Sequence, residues 1–136
     1  MADAKPLKII LDSNALFVPL QFKIDIFTDL ERLLNRRFEL ILLSPVKQEL
    51  EVLAAQGSPK MRRNASFALE LAEKCRYVAV EASAYAVTDD VIFETAKNWG
   101  VPVFTNDRLL RKRLRDINVP VIYVRQKSRL EIDGLI

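Results

Sequence analysis

"LKIILDSNALF", residues Leu7–Phe17, decides how the rest of the chain is read. Its apolar run suits a buried strand, yet it stops on Asp12, followed by Ser13 and Asn14. A carboxylate at the margin of a core costs free energy unless something compensates it. A helix cap, a salt bridge or a metal ion would each do so, and the remaining sequence has to choose among them.

Outward from that stretch, apolar strands and amphipathic helices alternate. The spacing predicts a strand over 8–13. A helix from Pro19 follows, with Leu20, Ile24, Phe27, Leu30 and Leu34 at helical intervals. "FELILLS" (38–44) reads as a second strand. A helix over 44–57 has Ser44 as N-cap, Pro45 at its first position and Gly57 as its stop. A further helix over 58–75 is apolar at Ala65, Ala68, Leu69 and Ala72. Then come a third strand over 77–82, a helix over 88–100 with Ile92, Ala96 and Trp99 on one face, and a fourth strand over 101–106. A basic helix over 107–118 leads to a fifth strand over 119–124. The tail, 125–136, shows no pattern. Near-continuous apolar strands separated by helices imply a parallel sheet covered on both faces. Five strands favour an open doubly wound sheet. Ligands in such sheets bind beyond the carboxyl ends of the strands, where strand order reverses.

Composition narrows the chemistry. The chain has 136 residues, which fits one domain over 1–136 with a core at about 8–124. No apolar run suits a membrane span, and "MADAKPLK" lacks the basic-then-apolar order of a signal peptide. A single cysteine, Cys75, excludes an internal disulfide, fits a reducing, cytoplasmic setting and reads as core filler. Histidine is absent, which removes the commonest general base and the usual zinc ligand. Catalysis in this chain therefore falls to carboxylates, hydroxyls, amines or a bound metal.

Acidic residues follow four of the five expected strands: Asp12, Glu49, Asp89 with Asp90, and Asp107. Singly, each has a structural explanation. Asp107 or Asp89 caps a helix, Asp12 caps a turn, and Glu49 is solvated surface. For all but Asp12 that explanation is the stronger one when the residue is taken alone. Helical spacing weakens it for two of them. Glu49 shares a side with Val46 and Leu53, and Asp89 lies three residues before Ile92, so both lean inward. Asp90 leans away and suits capping. Ionised carboxylates converging on one point repel, and a divalent cation resolves the conflict. Oxygen ligands without His or Cys suit Mg²⁺ or Mn²⁺.

Together, "ILDSNAL", "SPVKQEL", "TDDVIFETA" and "VFTNDRLL" resemble the four acidic motifs of PIN-domain ribonucleases, over Lys8 to about Val124. The resemblance implies a three-layer α/β/α PIN-like domain with a five-stranded parallel sheet in the order 3-2-1-4-5. It implies divalent-metal-dependent endonucleolytic hydrolysis of single-stranded RNA. Asp12, Glu49, Asp89 and Asp107 would be both catalytic residues and ligands of Mg²⁺ or Mn²⁺. Asn14 and Thr105 would support the site, with Asp90 as a secondary candidate. Two subgroups share the motifs. "TDDVI", "DRLLRKRLR" and the ending "VPVIYVRQKSRLE" look more like the group acting in small-subunit ribosomal RNA processing and its archaeal relatives than like VapC-type toxins. A pre-ribosomal or an antitoxin protein partner, a homodimer and a non-catalytic RNA-binding or assembly role remain open.

Basic residues supply a surface for phosphate. Arg108, Arg111, Lys112 and Arg115 crowd the helix after Asp107 and are the expected RNA contacts. A solvated, salt-bridged face is the alternative for several of them. A phosphorelay receiver would need two acids after the first strand, and an aspartate-nucleophile phosphatase would need an acid where Asn14 stands.

Overall fold

The computed structural model describes residues 5–83 and 86–136. Six strands form one sheet in the order β3-β2-β1-β4-β5-β6: β1 (Leu7–Leu11), β2 (Phe38–Leu43), β3 (Arg76–Val78), β4 (Val103–Phe104), β5 (Val121–Arg125) and β6 (Arg129–Asp133). The first five are parallel and in the expected order. Ile9, Ile10 and Leu11 have no exposed surface, as a central strand covered on both faces requires.

From β1 the chain steps outward to β2 and β3, through α1 (Val18–Phe22), α2 (Ile26–Leu34), α3 (Ser44–Gln56) and α4 (Pro59–Ala72). It then returns past β1 to β4 and β5 through α5 (Thr88–Trp99) and α6 (Arg108–Asp116). Right-handed crossovers in opposite directions place the two helix sets on opposite faces, which gives three layers. Reversal falls between β1 and β4, where Ile10 pairs with Val103 and Leu11 with Phe104. The next residues along these two strands are Asp12 and Thr105.

Several expectations about elements are corrected. The helix expected from Pro19 is two helices. Lys23 turns left-handed (φ 56°), and Asp25 restarts the chain by accepting the N–H groups of Phe27 and Thr28 at 3.1 and 3.2 Å. Ser44 does not cap α3, because its hydroxyl accepts the Val80 N–H at 3.0 Å. The third and fourth strands are shorter than their apolar runs. Trp99, expected to face inward, is 38% exposed with the Lys8 ammonium over its ring. Cys75 is half-buried, and burial pushes its thiol up to about 11, so it is no ready nucleophile.

The largest correction concerns the tail and the strand count. Residues 125–136 contain a sixth strand, antiparallel to β5, with Val121 opposite Asp133 and Arg125 opposite Arg129. Gln126 and Lys127 take positive φ to close the hairpin, and Leu130 enters the core. Asp133 receives Arg111 Nε at 2.9 Å on one oxygen and Arg115 Nε at 3.1 Å on the other. The Arg111 guanidinium also stacks 3.6 Å from the Tyr123 ring centre. Gly134 follows at φ 107°, where a Cβ would lie 2.6 Å from Arg115 Nη1. A side chain there would have to displace the Arg115 guanidinium, and the left-handed φ itself favours glycine. The tail thus ties α6 to the sheet.

Candidate active site

Asp12 ends β1 with its backbone N–H on the Phe104 carbonyl (3.0 Å), so the ladder itself sets its position beside β4. Its side chain is 4% exposed. Oδ1 accepts the Ser13 N–H at 2.7 Å, and Oδ2 accepts the Thr105 hydroxyl at 2.7 Å and the Asn14 amide at 3.1 Å. Thr105 has no exposed surface, and its Oγ1 also accepts the Asp107 N–H at 3.0 Å. One hydroxyl therefore joins the two acids at the ends of β1 and β4. Asp107 is the N-cap of α6, with Oδ1 accepting from the N–H groups of Leu109 (2.8 Å) and Leu110 (3.2 Å). No hydrogen bond among the described residues uses its Oδ2. Asp107 is thus a cap and also a charge directed at Asp12.

Glu49 and Asp89 approach from α3 and α5. The Asp12 carboxyl is raised above its ordinary value, first by burial and then by the Asp107 charge, against the lowering by Thr105, Ser13 and Asn14. Glu49, expected to lean inward, is exposed, because its place on α3 sits at the rim of the pocket. Its carboxyl is nonetheless raised by partial burial and then by Asp12 and Asp89, while the hydroxyls of Thr88 and Ser13 pull it back. Asp89 is raised by burial, then by Asp12 and Asp107. Four carboxylates from four strand ends thus share one field. Among the described residues, no three of them converge closely enough to enclose an ion unaided. Asp90 neither caps α5 nor enters this group of bonds. It pairs with Arg113 at 2.9 Å on the surface.

The structure sorts the expected RNA contacts into two kinds. Arg111 and Arg115 are held by Asp133, whereas Arg108 and Lys112 are exposed with no carboxylate partner among the described residues. Replacing Arg108 and Lys112 with Ala should flatten the salt dependence of RNA affinity by about 0.7 log units for each phosphate no longer neutralised. Replacing Arg111 and Arg115 should lower thermal stability and leave that slope nearly unchanged. Titrations against salt and melting curves for both double variants check the division. Equal slope changes would refute it.

Residues 9–127 match the family described as PIN like domain. The chain belongs to the PIN-like domain family. A relative named Ribonuclease VapC4, from Methanocaldococcus jannaschii, is 36% identical over 95% of this chain and 98% of its own length. Ribonuclease VapC9 from Archaeoglobus fulgidus is 29% identical over 93% of this chain and 89% of its own. Among solved structures, that of the PIN domain endonuclease Utp24 superposes with a TM-score of 0.80 at 26% identity, covering 96% of this chain and 94% of the other. The PIN-like fold expected from the motifs is therefore present, with one strand added at its edge. No helix among the described residues is long and apolar enough to cross a membrane.

Asn106 is a site residue that sequence reasoning missed. Its N–H donates to Asn14 Oδ1 (3.0 Å), and its side-chain carbonyl accepts the Val124 N–H (2.8 Å). It fastens the turn bearing Asp107 to the segment after β1 and to β5 at once. Its two partners lie 92 and 18 residues away, so no local pattern announces it. The hydroxyls beside Glu49 were missed for the same reason.

Proposed function

We propose that this chain is a divalent-metal-dependent endoribonuclease acting on single-stranded RNA, with Asp12, Glu49, Asp89 and Asp107 as its catalytic carboxylates. The observation carrying this reading is the convergence of four acids near the sheet's reversal point, where Asp107 raises the Asp12 and Asp89 carboxyls and Asp12 raises those of Glu49 and Asp89. Proteins resembling the chain over nearly its whole length are named ribonucleases. The donor set is all oxygen and over-supplied with negative charge, which fits a hard dication. Mg²⁺ keeps several waters and needs only one or two direct carboxylates, so the absence of a closed three-acid cage among the described residues is compatible with it. Asp12 and Asp107 would hold the ion, with Glu49 and Asp89 reaching it through water.

Bound there, a dication lowers the pKa of a coordinated water and offsets charge on the phosphate. The chain's own groups do the rest. Thr105 and Asn14 fix the Asp12 carboxylate, so its direction needs no reorganisation. Glu49, at the rim with a raised carboxyl, would take a proton from the attacking water. Arg108 and Lys112 would steer the phosphate chain. Incubation of unstructured RNA with the protein tests the reading. Internal cleavage with Mg²⁺ or Mn²⁺ and intact RNA in chelator are expected, and intact RNA in both would refute it.

The biological setting has two supports. The motif resemblance favours ribosomal RNA processing with a pre-ribosomal partner. The 36% identity to a VapC ribonuclease favours a toxin with an antitoxin partner. Co-purification from the native cell separates them, since ribosomal precursors and a small companion protein differ in size and composition.

A further inference from the structure

The acid pocket continues sideways into a groove of about 680 Å³ between α3, the segment after β3 and the start of α5. Ser13, Glu49 and Thr88 line it, the same three residues that meet at the Glu49 carboxylate. Beyond them, among the described residues, its walls carry Val52, Leu53, Val80 and Val91 together with Ser44 and Ser83, and Gln48 supplies a long uncharged polar side chain. Ser44 pins the Val80 wall, accepting its N–H at 3.0 Å and donating to its carbonyl at 3.4 Å. The hydroxyl expected to cap α3 therefore builds this groove instead. Among the described residues no Lys or Arg lines it, and its one charge is the carboxylate of Glu49. A phosphate would be repelled there. A flat, uncharged group with apolar faces and a hydrogen-bonding edge would be accepted.

We propose that the groove is a nucleobase subsite, taking one base beside the phosphate that lies at Asp12. The inference rests on the ribonuclease reading for the phosphate's position. The base's faces lie against Val52, Val80 and Val91, and the Gln48 amide, with both donors and an acceptor, meets its edge. Gln48 is then a residue that selects among bases, and the subsite contributes affinity with little salt dependence because no ions are displaced from it.

The test is an abasic scan. Fluorescein-labelled single-stranded RNA hexamers, each with one base removed, are titrated by anisotropy against the full chain in Ca²⁺, a hard dication that offsets the acids where the phosphate must lie, with gel analysis confirming that the hexamers stay intact. Removal at one position should weaken binding about fivefold, the lower end of what a base stacked on an aromatic ring contributes, because the walls here are aliphatic. Val52→Met, whose longer side chain occupies the groove without offering a ring on which a base could stack, should reduce that penalty to within about twofold. Val52 is 53% exposed, so the longer side chain need not enter the core. Gln48→Ala, a second and milder variant, should equalise affinity among the four bases at that position. Equal penalties in wild type and Val52→Met, or no position-specific penalty, would overturn the subsite and leave the groove to an apolar side chain of a protein partner. Cleavage with Mg²⁺ alongside a flat scan refutes the groove alone. A position-specific penalty without cleavage refutes the ribonuclease reading alone.

Discussion

Asp107→Asn should abolish RNA cleavage and leave the metal-free protein as stable as wild type or more so. Losing groups that merely support a metal ligand costs about 10–100-fold in affinity or activity, and losing a direct ligand should exceed the upper figure. Stability should survive because asparagine caps a helix about as well as aspartate, and its amide oxygen can still accept from Leu109 and Leu110. The charge pressing on Asp12 and Asp89 would be gone. Asp107→Ala separates the two roles. It removes the same charge but also the cap, at about 1 kcal/mol, and should melt roughly 3–6 °C below Asp107→Asn. A destabilised Asp107→Asn in chelator would mean that repulsion between the acids is not what the site stores.

The same repulsion fixes how stability depends on pH. Asp12, Glu49 and Asp89 have carboxyls raised in the folded state, so the folded chain holds more protons than the unfolded one just above the ordinary carboxylate range. Stability of the metal-free protein therefore falls as pH rises from the ordinary values, 3.8 for Asp and 4.5 for Glu, through the raised ones. Asp25 runs the other way. Its cap bonds lower it, so its contribution is present at neutral pH and fades as pH drops through its folded value. Saturating Mg²⁺ should flatten the site's part of this dependence.

Much of this architecture was legible because it is written in local patterns. The apolar run over 7–11 with Asp12 at its end marks a buried central strand that stops on a functional edge, and the same grammar recurs at "VFTND". Even so, spacing alone could not decide between cap and site for Asp107, since the residue caps α6 and also bears on Asp12 through its charge. What stayed hidden depends on partners distant in the chain. β6 has only five residues, three of them charged, and becomes a strand because Leu130 finds the core and Asp133 finds two arginines. Those arginines looked like a phosphate-binding row for the same reason: positive charge on a helix is visible in sequence, but the carboxylate that neutralises it, 22 residues from Arg111, is not. The break at Lys23 was obscured because apolar periodicity continues across it.

Thr105→Val should be the most destabilising conservative change near the site. The side chains have nearly the same shape, and Thr105 has no exposed surface, so packing is preserved and only the hydroxyl is lost. That hydroxyl donates to the Asp12 carboxylate and accepts the Asp107 N–H and, more weakly at 3.4 Å, the Asn14 amide. A bond to a charged group contributes about 1.5–3 kcal/mol, and a buried N–H left unsatisfied costs about 1–3 kcal/mol. A net loss of roughly 2–4 kcal/mol follows, since local relaxation recovers part of the sum. For a domain of this size the melting temperature should fall by roughly 8–15 °C. Thr105→Ser keeps the hydroxyl and should recover most of that loss. The pH profile identifies the bond responsible. Thr105 favours the ionised form of Asp12, so the gap between wild type and Thr105→Val should be widest at neutral pH and narrow as Asp12 takes up its proton on acidification. A gap that stays constant from about pH 7 to about pH 4 would assign the loss to the Asp107 N–H alone and remove Thr105 from the charge balance of the site.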